Sequence, residues 1–243
     1  MDNLTIVAAD GMRTRMESLE MLANNLANVE TGGFKADREF YSLFAGETAG
    51  DPVTADQERL PVVQSQWTDL SQGVFRNTSN PLDLAIDGDG FFAVRTKSGI
   101  RYTRDGSFRI SSAGQLTTAD GSQVASRSGG PITLQAGTNF EIAADGTVSQ
   151  DGAPVGQIML AGFAPQQLEK SGLNYFVPRE GIAPGSATGT VQQGKLEGSN
   201  VNSAEGAVRL VAIMRQFEML QKAMGIANDF SRQAIEEVAK VAA

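Results

Sequence analysis

From Asn202 to Ala243 one apolar face recurs in alternating steps of three and four: Leu210, Ile213, Phe217, Leu220, Met224, Ala227, Ser231, Ala234, Val238 and Val241. Only Ser231 breaks the apolar run. This spacing keeps a narrow stripe on one side of an α-helix and predicts a helix that buries the stripe against other helices. Asn202 is placed to cap the first turn, and Glu205 to reach back to it. No proline interrupts the run, and only Gly206 and Gly225 weaken it. At 1.5 Å per residue the helix would be roughly 58 Å long, more than a compact domain of this size requires. Such a helix needs partners.

The N-terminal segment mirrors it. Between Thr5 and Asn28 the apolar positions are Ala9, Met12, Met16, Leu19, Ala23 and Leu26, with Asp10, Arg13, Glu17 and Glu20 on the other side. This is the pattern of an amphipathic helix. The Asn-rich end and the Gly32-Gly33 pair are helix-stop chemistry. Periodicity leaves two readings open: a helix packed on its own domain, or two terminal helices in one coiled-coil-like unit carrying the middle of the chain. Heptad stripes at both ends favour the second.

The middle is of another type. Short apolar or alternating runs recur, among them Leu84–Ile86, Phe91–Val94, Arg101–Thr103, Phe108–Ile110, Gln115–Thr117, Ile132–Leu134, Phe140–Ile142, Val155–Phe163 and Tyr175–Val177. Asp-Gly pairs begin at Asp87, Asp89, Asp105, Asp120, Asp145 and Asp151, a favoured hairpin-turn dipeptide. These signals predict an antiparallel sandwich or irregular barrel. Pro61–Trp67 reads as a strand with Pro61 at its start or on an edge. Gly181–Gln193, rich in small residues around Pro184, reads as a linker. The expected fold is therefore α+β. A helix spans 1–35, an extended connector 36–75, a central antiparallel all-β domain 76–198 and a second helix 199–243.

Composition narrows the function. The chain has no Cys and no His, which removes disulfides, thiolate sites, the commonest metal ligand and the commonest general base. Net charge is −8, and residues 201–243 carry five acids and five bases, so the acidity lies outside the last helix. That balance argues against nucleic-acid binding. No run of apolar residues is long enough for a membrane span, and Met1-Asp2-Asn3 opens no ordinary secretory signal. Asp87-Gly88-Asp89-Gly90 begins like a calcium loop but lacks the third acid and the closing glutamate, so tight turns are the better reading. Trp67 and Phe92 are expected in the core. No nucleotide-binding or nucleophile-elbow motif occurs, and no carboxylate pair is marked for catalysis. No catalytic, cofactor or metal residues are expected.

Four motifs then carry a resemblance. Asn24-Asn25-Leu26-Ala27-Asn28 followed by Thr31-Gly32-Gly33-Phe34-Lys35 resembles the N-terminal signature of bacterial flagellar rod and hook proteins. Pro81–Gly88 with Gly90-Phe91-Phe92 and Tyr102–Gly106 resembles the start of their β domain. Leu196-Glu197-Gly198-Ser199-Asn200-Val201-Asn202 resembles the entry to their C-terminal helix, which contains Arg215–Met219. Gly129–Thr133, Ala143–Thr147 and Phe217-Glu218-Met219 are more similar to the proximal-rod type than to the distal one. The resemblance implies a structural subunit of the periplasmic basal-body rod. Such a subunit is exported by the flagellar type III apparatus without a cleaved signal and packs with copies of itself and neighbouring rod subunits. It implies no nucleic acid, small-molecule substrate or membrane insertion. The expected assembly positions are Met12, Met16, Leu19, Leu26, Leu210, Ile213, Phe217, Leu220, Met224 and Val238. The signature positions are Asn24, Asn25, Leu26, Asn28, Gly33, Phe34, Leu196, Glu197, Ser199, Asn200 and Val201. A distal-rod or hook-type subunit is the alternative. More remote are a carbohydrate-active or binding β domain with oligomerising helical arms, which predicts a pocket of convergent polar groups, and a phage-tail-like or adhesin fibre.

Overall fold

A computed structural model describes residues 3–44, 60–135, 139–172 and 174–241. The chain forms two units, one from residues 1–27, 37–67 and 202–243, the other from 28–36 and 68–201.

The first unit holds both helices. Helix α1 is Asn3–Ala27 and α2 is Ser203–Val241. Asn202 caps α2: its Oδ1 accepts from the Ala204 and Glu205 amides at 3.2 and 3.3 Å. The helices lie against one another, and a Cβ built on Gly11 would sit 3.7 Å from Leu220 Cδ1. Strands β1 (Asp37–Phe44) and β2 (Leu60–Thr68) pair in a two-stranded sheet. Trp67, expected in the core, is instead 47% exposed. It stands next to the last residue of β2, a strand with one partner in a two-stranded sheet. Gly225 is exposed in the interior of α2, with nothing within 4 Å of a built Cβ. Gly225→Ala should therefore stabilise the helix by about 0.5–1 kcal/mol, read as a higher midpoint in thermal melting of the helical circular-dichroism signal.

The second unit is β. Its strands are β3 (Phe75–Asn77), β4 (Leu84–Asp87), β5 (Phe91–Thr96), β6 (Gly99–Thr103), β7 (Arg109–Ile110), β8 (Leu116–Thr117), β9 (Gln123–Val124), β10 (Phe140–Ile142), β11 (Thr147–Gln150), β12 (Ala153–Gln157), β13 (Leu160–Gly162), β14 (Leu168–Lys170), β15 (Tyr175–Pro178), β16 (Gly185–Ser186), β17 (Thr190–Gln193) and β18 (Lys195–Glu197). The largest sheet runs β14-β15-β6-β5-β9-β8-β7, with β13 pairing β5 and β16. Three smaller sheets are β10-β11-β12, β17-β4 and β18-β3, and the described ladders are antiparallel.

Strand β5 explains the layering. Phe91 and Ala93 join one apolar cluster with Tyr102, Ala161 and Phe176, while Phe92 joins another with Leu84, Ile86, Phe108 and Val191. A strand buried on both faces reads as an unbroken apolar run, as Phe91–Val94 does. Edge-to-face ring pairs Phe92–Phe108 and Phe91–Phe176, with centroids 5.1 and 5.5 Å apart, occupy the two sides. Asp151 (φ 52°) and Gly152 (φ 80°) make the turn between β11 and β12, the positive-φ pair that Asp-Gly favours.

The 181–193 stretch is not a linker. It contains β16 and β17, and β17 lies along β4 with Val191 buried opposite Ile86. Its small residues serve close approach: a Cβ on Gly189 would meet Ile86 Cγ2 at 2.7 Å and Asp87 O at 2.9 Å. Ile132–Leu134 forms no strand; Thr133 makes a single bridge to Gln115 while Ile132 and Leu134 are buried.

Candidate assembly site

On α2 the described positions of the 3–4 repeat form one covered line. Ile213 is buried at 5% exposure, and Leu210, Phe217, Leu220, Met224 and Ala227 are half-buried. Val238 lies on α2, but its side chain is outside the described residues. A second group of apolar residues is open to solvent: Val208, Met219, Ile226 and Phe230 are 72, 61, 57 and 68% exposed.

On α1 the sequence repeat and the covered face do not coincide. Met12, Leu19 and Leu26 are half-buried, whereas Ala9, Met16 and Ala23 are exposed. The deepest positions are Ser18, Met21, Leu22 and Asn25. Two of these are polar and satisfied. Ser18 Oγ donates to Glu39 Oε2 at 2.7 Å. Asn25 Nδ2 donates to the Asp37 carbonyl at 2.8 Å while its Oδ1 accepts from the Asp37 amide at 3.0 Å, extending β1 by one side-chain rung.

Within the β unit, Lys35, Glu197 and Arg104 form a buried ion triad. Glu197 Oε1 accepts from Lys35 Nζ at 2.5 Å and from the Gly73 amide at 2.9 Å, and its Oε2 accepts from Arg104 Nη1 at 3.1 Å. Lys35 Nζ also donates to Ser71 O at 2.6 Å, and Arg104 Nη2 to Gly88 O at 2.8 Å. Burial pulls the Lys35 ammonium below the ordinary lysine range, against the opposing pull of Glu197. Around the triad, the Gly33 amide donates to Glu197 O at 2.7 Å, and the Ala36 amide to Asn200 Oδ1 at 2.8 Å. Asn200 Nδ2 in turn reaches Asp69 O at 2.8 Å. Phe34 is buried under Lys170 Nζ, 4.3 Å from the ring centroid.

A recess of about 210 Å³ in the same unit is lined by Asp105, Asp120, Asn174 and Tyr175 among others. Its polar groups are committed to the fold. Asp105 Oδ1 accepts from the Ser107 hydroxyl at 2.7 Å, Asp120 Oδ1 from the Tyr175 hydroxyl at 2.9 Å, and Asn174 Nδ2 donates to Gly32 O at 2.6 Å. Burial raises the Asp120 pKa, but hydrogen bonds from Thr118, Tyr175 and Ser122 outweigh it and hold the carboxyl below the usual range. That leaves an anchored carboxylate, not a general acid. Asp87-Gly88-Asp89-Gly90 is the β4–β5 connection, where Gly88 O is taken by Arg104 and Asp87 Oδ2 by Gln192 at 2.8 Å.

Residues 85–150 match the family model described as the flagellar hook protein FlgE/F/G D1 domain, and residues 192–237 match the flagellar basal body rod FlgEFG protein C-terminal region. The flagellar basal-body rod protein FlgF of Caulobacter vibrioides is 34% identical over 250 residues, covering 99% of this chain and 100% of that protein. FlgF of Escherichia coli is 31% identical, covering 96% and 97%. FlgG of Bacillus subtilis is 30% identical, covering 93% and 95%. The chain belongs to the flagellar basal-body rod family. Members of this rod family are structural proteins, not enzymes.

The rod-family signature positions have physical roles here. Asn25 completes the edge of β1, and Asn28 accepts from the Thr31 hydroxyl at 3.2 Å. Gly33, Phe34, Glu197 and Asn200 surround or form the triad. Leu196 pairs with Arg76 in the β18–β3 ladder, and Ser199 Oγ accepts from the Val201 amide at 3.2 Å. Leu26 is half-buried and Asn24 exposed. Sequence reasoning missed Lys35 and Arg104 as buried ions. The available signal was that Lys35 and Glu197 are each the sole charged residue of a motif otherwise made of uncharged residues.

Proposed function

We propose that this rod-family protein is a proximal-rod subunit that polymerises through its terminal helices into the helical drive-shaft transmitting torque. The observation that carries the reading is the exposed apolar line of Val208, Met219, Ile226 and Phe230 on α2, left over after the seam is covered. A long helix with one filled and one unfilled apolar stripe needs further helices. A heterologous contact that does not close supplies them indefinitely and makes a helical filament. Partners in this reading are copies of the chain and neighbouring rod subunits in the periplasm, reached through the flagellar type III export apparatus without a cleaved signal. The proximal place is supported by the resemblance at Gly129–Thr133 and Ala143–Thr147.

Imaging basal bodies from a deletion strain tests it. The rod should end at its proximal segment and swimming should be lost. A rod ending farther out would assign the chain to the distal segment, and a complete rod with normal swimming would overturn the proposal.

A further inference from the structure

The first and last segments of the β unit lie side by side and run in the same direction. The Gly33 amide donates to Glu197 O at 2.7 Å, the Asn200 amide to Phe34 O at 3.3 Å and the Ala36 amide to Asn200 Oδ1 at 2.8 Å. Position 33 is thus matched to 197, and 34 and 36 to 200, so both segments advance together. The buried Lys35–Glu197 ion pair links them again. Asn200 ties in a third stretch. Its Nδ2 donates to Asp69 O at 2.8 Å and to Ser71 O at 3.1 Å, and the Asp69 amide donates to Ala36 O at 2.8 Å.

Direction decides what a pull does to these bonds. Tension on the chain ends reaches the first segment from its N-terminal side, after α1, and the last segment from its C-terminal side, ahead of α2. Two parallel segments drawn from opposite ends slide along one another, so their cross-links are strained together. A hairpin pulled at its open end gives way one bond at a time. The central link is also dry: the Lys35 and Glu197 side chains have no exposed surface, so water cannot replace the bond as it stretches. The ladders of β5 to β16 join strands within residues 91–186, which lie off the path of the tension while the cross-links hold.

We infer that residues 33–36 and 197–200 form a shear clamp that passes tension directly from the segment after α1 to the segment before α2 and leaves the sheets unloaded. Its use rests on the rod-subunit reading: a shaft subunit strained through its helices receives force at these two segments. Glu197 and Asn200 carry the cross-links, the first through its carboxylate and backbone carbonyl, the second through its amide and side chain. Asn200 also spreads the load to Asp69 and Ser71.

Single-molecule pulling on the purified full-length chain tests the clamp. Handles on the two termini load it in shear, and rupture of the β unit is recognised by the release of the 162 positions between Lys35 and Glu197. The chain has no cysteine, so Ala153→Cys, exposed at the start of β12, gives a second geometry with one handle there and one on the N-terminus. That geometry does not draw the two segments past each other, and its rupture force should be lower by about two-fold or more. Between the termini, Asn200→Ala should lower the rupture force to about half. Val148→Ala, at a fully buried site on β11, should lower the urea midpoint yet leave the force between the termini unchanged. Equal forces in the two geometries would overturn the clamp. So would a force that Asn200→Ala leaves alone, or one that Val148→Ala lowers as much as Asn200→Ala does. Such a failure leaves the rod-subunit reading standing, because the deletion strain tests that reading separately.

Discussion

Replacing Glu197 with alanine should lower the unfolding free energy of the β unit by about 3–5 kcal/mol, the usual cost of removing one partner from a buried ion pair. The carboxylate is fully buried and is the sole described anion bonded to both Lys35 and Arg104. Without it, Arg104 keeps the Ile86 and Gly88 carbonyls and Lys35 keeps only Ser71 O, so two cations remain in low dielectric with uncharged acceptors. Lys35, already pulled below the ordinary lysine range by burial, would lose the group that chiefly opposes that pull. It would shed its proton more readily and relieve part of the cost. Lys35→Met should cost less than Glu197→Ala, because Glu197 would retain Arg104 and the Gly73 amide. Urea denaturation of the purified chain, followed by circular dichroism, gives the ranking. No loss from Glu197→Ala would show that the triad does not hold residues 28–36 onto the unit, and equal losses would show that Arg104 and the Gly73 amide do not offset the loss of Lys35.

What was legible in the sequence follows physical lines. The α2 seam was legible because a solvent-facing helix advertises its covered side by period alone, and Leu210 through Ala227 occupy it in the expected order. The short strands and their Asp-Gly turns were legible from local chemistry. The covered face of α1 was not, because Ser18 and Asn25 look like surface residues. Their burial depends on Glu39 and Asp37, partners that a single sequence does not reveal as neighbours. The triad was hidden for the same reason: Lys35 and Glu197 are 162 positions apart, and charge defaults to the surface unless paired. Strand β17 was hidden because small residues signal flexibility locally, while here they allow backbone to approach Ile86 and Asp87.

Two aspartate substitutions on α2 should separate the chain's own helix pairing from assembly. Ile213 is 5% exposed, so Ile213→Asp buries an unpaired charge in the seam and should cost the helical unit several kcal/mol. The purified subunit should lose helical circular-dichroism signal, and cells carrying the variant should not swim. Phe230 is 68% exposed, so Phe230→Asp should change the free subunit's stability by no more than about 0.5 kcal/mol. Its spectrum and melting should match the parent. Cells should still fail to swim, because the aspartate would be desolvated against a neighbour's apolar surface. The contrast is the informative result. If Phe230→Asp swims normally, the exposed line is not an assembly surface. If Ile213→Asp keeps its helical signal, the seam is not what pairs the two helices. Loss of motility in both, with loss of helix in only one, requires that α2 serve its own copy on one face and another subunit on the next.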